Sequence, residues 1–146
     1  MGGLALMYLT DTLIKITTSS KLDETKTYQI KGFEAKLELI KSRTAAAGLS
    51  VTMLYNQLEG FDDELSMLEF VKANNKLKGS PVGYYIEGLD TVKFRLSTFK
   101  QALKASKELQ DHFKLVVTEL LEQSLKASTK LVQDIGITEV VPEVEG

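Results

Sequence analysis

Hydrophobic positions between Ile30 and Leu68 recur at alternating steps of three and four: Ile30, Phe33, Leu37, Ile40, Thr44, Ala47, Val51, Leu54, Leu58, Phe61, Leu65 and Leu68. Only Thr44 interrupts the stripe with a polar side chain. That is the pattern of a helix burying one seam against another helix. The same stepping runs from Leu89 through Val92, Leu96, Phe99, Leu103, Ser106, Gln110, Phe113, Val117, Leu120, Ser124 and Ala127 to Leu131, with a more polar middle. Neither glycine nor proline occurs between Gly88 and Gly136. The expectation is one unbroken helix of about 45 residues, roughly 70 Å long. It should stop at Asp134-Ile135-Gly136-Ile137, where Gly136 can adopt the left-handed conformation.

A helix of that length needs a partner of similar length. The first tract supplies one if it starts near Ser20-Lys21-Leu22-Asp23, runs through Gly48 and ends near Asn74-Asn75. An interior glycine costs about 1 kcal/mol, which packing over many turns can absorb. Between the tracts, Lys76-Leu77-Lys78-Gly79-Ser80-Pro81-Val82-Gly83 is a strong turn signal, with Ser80 and Pro81 suited to an N-cap and a first helical position. The expected fold is therefore all-α: a long antiparallel helical hairpin over approximately residues 22–77 and 82–135, plus a short N-terminal amphipathic helix on which Leu6, Leu9, Leu13 and Ile16 share a face. The alternative is a compact four-helix bundle broken near Gly48. Residues 1–136 would form one helical domain, and residues 137–146 an extended or loosely ordered tail.

Charge supports the antiparallel register. Glu59, Asp62, Asp63, Glu64 and Glu69 form an acidic block, while Lys93, Arg95, Lys100, Lys104 and Lys107 form a basic one. Folding at Gly79 and Ser80 would set them side by side. The 146-residue chain is 43% hydrophobic and 26% charged, a composition of folded rather than disordered protein. A net charge of −2 offers no broad cationic field, so no nucleic-acid partner is expected. The absence of cysteine excludes disulfides, thiolate metal sites and cysteine nucleophiles. The segment Met1–Leu9 lacks a basic start and a small-residue cleavage site, and no run reaches the ~18 apolar residues of a membrane span. Localisation is left unknown, with the cytoplasm as the default and export by another route open.

Candidate chemistry is sparse. His112 is the only histidine, and Glu108 one turn before it would make at most half a metal site. Carboxylate-bridged bundles need repeated Glu-x-x-His pairs. The acidic cluster Glu59, Asp62, Asp63 and Glu64 lacks a calcium-loop pattern. Gly79, Gly83 and Gly88 lack the Gly-Lys-Ser/Thr ending of a phosphate loop. No catalytic residue, metal or cofactor is assigned. Val82-Gly-Tyr-Tyr-Ile-Glu87 faintly resembles the second-helix entry of prefoldin α subunits, but the expected hairpin has no room for their inter-coil β-hairpins. In outline the hairpin resembles the WXG100 proteins, whose Trp-x-Gly turn is missing from a chain without tryptophan. No family is assigned.

The two seams leave apolar residues unspent. Leu49, Met53, Met67, Phe70 and Val71 lie off the first stripe, and Ala102, Ala105, Leu109 and Val116 off the second. Tyr84 and Tyr85 sit at the expected hairpin tip. Contiguous exposed apolar area marks an interface. Leu49, Met53, Met67, Phe70, Val71, Leu109, Val116, Tyr84 and Tyr85 are accordingly the expected partner-binding set. The expected function is a non-enzymatic assembly or protein-interaction subunit that forms homo-oligomers or docks on a protein partner through helical faces. A viral particle, a secretion apparatus and a chaperone-like adaptor fit equally. The alternative is a membrane-active protein using its N-terminal amphipathic helix.

Overall fold

A computed structural model describes residues 8–25, 27–44 and 47–134. Among them the fold is mixed rather than all-α: seven strands in two antiparallel sheets, and three helices. The first sheet is β1 (Thr12–Leu22), β2 (Gly32–Ser42), β3 (Ser50–Asn56) and β4 (Gly60–Asp62), hydrogen-bonded in that order. Helix α1 (Asp63–Ala73) follows directly. A second sheet is the meander β5 (Leu77–Ser80), β6 (Gly83–Ile86) and β7 (Leu89–Phe94). A 3-10 turn at Leu96–Thr98 leads into α2 (Phe99–Ala105) and then α3 (Lys107–Asp134).

Local chemistry explains the strands. β1 is rich in β-branched residues, Thr12, Ile14, Ile16, Thr17 and Thr18, which suit a pleated surface. In β2, Phe33-Glu34-Ala35-Lys36-Leu37-Glu38-Leu39 alternates apolar and charged at the period of a strand with two unlike faces. Gly32 begins β2 because nothing larger fits: a Cβ there would lie 1.7 Å from the Tyr55 carbonyl oxygen. After β1, Asp23 Oδ1 accepts from Thr25 N at 3.0 Å and from Thr25 Oγ1 at 3.1 Å, turning the chain.

Helix α1 is tied to the sheet at its start. Asp62 caps it, Oδ1 accepting from Leu65 N at 3.1 Å. Buried Ser66 accepts from Leu54 N at 2.9 Å and donates to the Asp62 carbonyl, which locks the first turn onto β3. At the other end Asn74 Nδ2 donates to Phe70 O at 2.8 Å, and Asn75 takes a left-handed φ of 58°. The core then forms where α1, the meander, α2 and the first half of α3 meet. Leu68, Val71, Ile86, Phe99 and Leu109 are fully buried there, and Leu54 joins them from β3. Phe99 packs on Phe94 and Phe113, with ring centroids 5.0 and 5.1 Å away.

The helical hairpin over residues 22–77 and 82–135 is thus replaced. The first tract holds three strands and one short helix, and α1 shares with it only the boundary at Asn74-Asn75. Gly48 does not continue a helix: with φ of 90° it lies in the turn before β3. The four-helix bundle fails with it, because the segments flanking Gly48 are strands. The Gly79–Gly83 turn exists but joins two strands of the meander. The second tract is helical only after Leu96, and it breaks at Ser106. Ser106 has an extended backbone, φ −123° and ψ 110°, and its Oγ accepts from Leu109 N at 3.2 Å as the cap of α3. A seam residue in the helical reading is therefore a helix boundary. Tyr8 and Leu9 are helical, but Leu13 and Ile16 belong to β1, where a spacing of three puts them on opposite faces, so the expected amphipathic helix does not reach them. Leu4, Leu6, the Gly136 stop and the tail 137–146 lie outside the described residues. No helix among the described residues is long and apolar enough to cross a membrane.

Candidate functional site: an open apolar sheet face

The pairing register sorts the residues of the first sheet onto two unlike faces. Ile14 pairs with Leu39, Ile16 with Leu37, Thr18 with Ala35 and Lys21 with Phe33. Across the next ladder, Phe33 meets Tyr55, Ala35 meets Met53 and Leu37 meets Val51, and Tyr55 meets Phe61 on β4. Residues directly opposite share a face, and residues two apart on a strand do too. One face therefore carries Ile14, Ile16, Phe33, Ala35, Leu37, Leu39, Val51, Met53, Tyr55 and Phe61. The rings continue the ladder: Phe33 stacks on Tyr55 at 4.7 Å, and Phe61 meets Tyr55 edge-on at 5.3 Å.

The other face carries Lys15, Glu34, Lys36, Glu38, Thr52, Leu54 and Asn56. Helix α1 covers its end nearest Leu54, leaving an open cleft of about 510 Å³ between Glu34 and Thr52 on the sheet and Glu69, Phe70 and Ala73 on the helix. The helix thus sits on the more polar face. On the apolar face, Ile14 is 52% exposed, Ile16 60%, Val51 45% and Phe61 47%. Ala35 at its centre is fully buried, Phe33, Leu37, Leu39, Met53 and Tyr55 are half-buried, and none of its residues joins the core cluster formed by the described residues. The four strands hold 11, 11, 7 and 3 residues, so at a rise of ~3.3 Å per residue and ~4.8 Å between strands this side of the sheet covers about 500 Å², and its apolar row on β2, from Phe33 to Leu39, is ~20 Å long. A footprint of that size, with the apolar residues at its centre, lies within the range of the largest patches on a monomer.

The expected partner-binding residues scatter. Val71, Leu109 and Val116 are buried in the core, where a partner cannot reach them in the folded chain. Phe70 and Tyr84 are half-buried and pack against that core. Tyr85 is half-buried on β6, Leu49 is half-buried beside Gly48, and Met67 is exposed on α1. Met53 lies on the open face. The remaining residues of that face were missed, although the strict alternation from Phe33 to Leu39 was the signal that could have found them.

The polar candidates have structural tasks. Lys100 donates to Asp62 Oδ2 at 2.6 Å and lies 3.6 Å from Glu59, so the acidic and basic blocks do meet, in a different fold. The hydrogen bond to Asp62 raises the Lys100 pKa above its ordinary value, helped by the charges of Asp62, Glu59 and Glu64 and opposed by partial burial. Asp63 and Glu64 occupy the first turn of α1, where negative charge favours the helix. His112 Nε2 lies 2.9 Å from the Glu87 carbonyl oxygen and holds α3 to the turn between β6 and β7. At that turn Lys76 donates to the Glu87 carboxylate, and this contact holds the carboxyl below its usual range. Tyr28 Oη donates to Glu69, which also accepts from Lys72 at 3.0 Å. Among the described residues no group of three or more His, Cys, Asp or Glu could hold a metal ion.

No protein-family model matches the chain, and no curated protein is similar to it.

Proposed function

We propose that this chain is a non-enzymatic assembly or protein-interaction subunit, and that it works through the open face of the first sheet. The observation that carries this is the inversion of ordinary sheet packing. A sheet with one apolar and one polar face normally buries the apolar one. Here α1 packs on the polar face, while Ile14, Ile16, Leu37, Leu39, Val51, Met53, Tyr55 and Phe61 stay outside the core cluster. The core of the described residues does not use this surface, and burying it against a partner would yield roughly 25 cal/mol per Å² removed from water. The helical faces first expected to dock are largely spent on the core.

A protein partner suits the face better than nucleic acid, because its one charged residue is Lys21, at one end. The reading makes a sharp demand on stability. In Ile16→Lys/Val51→Lys, cooperative thermal unfolding of protein dilute enough to be monomeric should stay close to that of the parent chain, while binding of a polarity-sensitive dye at the same dilution should fall. If the double variant instead melts as early as a core variant, the face is closed within the chain and the proposal is wrong.

A further inference from the structure

We infer that the occupant of the open face is the same face of a second copy, so that two chains form a two-layer β-sandwich. This rests on the reading of the face as an interface, and it names the partner. Three observations point to self-docking. A two-fold contact sets a surface against itself, and its usual obstacle is the meeting of like charges. The open face carries no acid, and Lys21 stands at its end opposite Phe33, where it can remain in water. The opposite face, with Lys15, Lys36, Glu34 and Glu38, would bury charge in any such contact.

Area is the second observation. A footprint of about 500 Å² on each copy buries on the order of 1,000 Å² in all, the lower bound for a specific interface. Stacked sheets pack about 10 Å apart with interdigitated side chains, which suits a face of mixed large residues around the small Ala35. The third is the condition of the sheet edge. β1 is the long outer strand, but its pairing with β2 is irregular between Leu13 and Ile14 and again between Thr18 and Lys21. Such irregularities twist a strand and blunt edge-to-edge pairing, which leaves the face as the route of association.

Sedimentation of the purified full chain across the micromolar range tests this. A reversible dimer is expected. Ile16→Lys should weaken it about tenfold or more, the scale of burying an unpaired charge. Thr17→Lys, the neighbouring position on the opposite face, should leave it unchanged, with both variants keeping the parent circular dichroism. Three results would overturn self-docking: a monomer at all concentrations, a dimer indifferent to Ile16→Lys, or a dimer dissociated by Leu121→Lys or Leu125→Lys on the exposed half of α3. Dye binding separates the two levels of the argument. A monomer whose dye binding depends on Ile16 overturns the second copy and leaves the interface reading standing, whereas a monomer with no such binding overturns both.

Discussion

The two sheets of this protein meet the same problem and solve it differently. The meander β5–β7 has strands of four to six residues, and it delivers Ile86, Leu89 and Phe94 into a core closed by α1, α2 and α3. The four-stranded sheet has two strands of 11 residues and contributes mainly Leu54 to that core. Its longer apolar face is left outside the core cluster of the described residues. Short strands are covered by the helices at hand, but strands of 11 residues, ~35 Å long, outgrow an 11-residue helix of ~16 Å. Local patterning therefore makes an apolar strand face in both regions, and only the placement of helices decides which one becomes core.

Substitutions can break that contrast, beginning on the core side. Phe99→Ala removes a fully buried ring from between Phe94 and Phe113 and should cost about 3–5 kcal/mol, read by chemical denaturation. Ser66→Ala leaves Leu54 N without its side-chain acceptor at the junction of sheet and helix. It should cost about 1–3 kcal/mol. If Ser66→Ala left stability unchanged, the first sheet would not be anchored through this latch.

A smaller effect is expected at the Lys100–Asp62 contact. The folded-state pKa of Lys100 is raised above 10.5, so the stabilisation is complete below the unfolded value of about 10.4 and is lost as pH rises through the raised folded value. Alkaline titration should destabilise the parent chain more steeply than Lys100→Met, whose own loss is already present at neutral pH. Smallest of all should be the effect of Ile16→Lys on the stability of the monomer, within about 0.5 kcal/mol as for other surface changes. The comparison is sharpest here: a change this mild to folding should be the most damaging to association.

Little of the fold was legible through a helical reading, for identifiable reasons. Steps of three and four from Ile30 to Leu68 land on Phe33 and Leu37, which also belong to the two-residue alternation Phe33, Ala35, Leu37 and Leu39, and on Val51, which opens the alternation Val51, Met53 and Tyr55. A long stripe can thus be threaded through positions that alternate strictly. The glycine-free span after Gly88 permitted a helix without requiring one, and Ser106 ended α2 with a side chain that caps the next helix. Of the candidate site, only Met53 was named, because the off-stripe residues of a supposed helix mix both faces of a strand with the core. The charge blocks were read more usefully: Lys100 does reach Glu59 and Asp62, since opposite charges pair in whichever fold brings them close.

By itself the sequence determined the local events. Asp62 and Ser106 are placed to cap helices, and residues 33–39 to make a strand with one apolar side, because each depends on neighbours within a few positions. The tertiary structure alone decided that the apolar side would face outward. That choice depends on where α1 lands, and α1 is fixed by the hydrogen bond between Ser66 and Leu54, the capping of its first turn by Asp62 and the ion pair from Lys100, 38 residues further along the chain. An alternating strand carries no record of which of its faces a distant helix will cover.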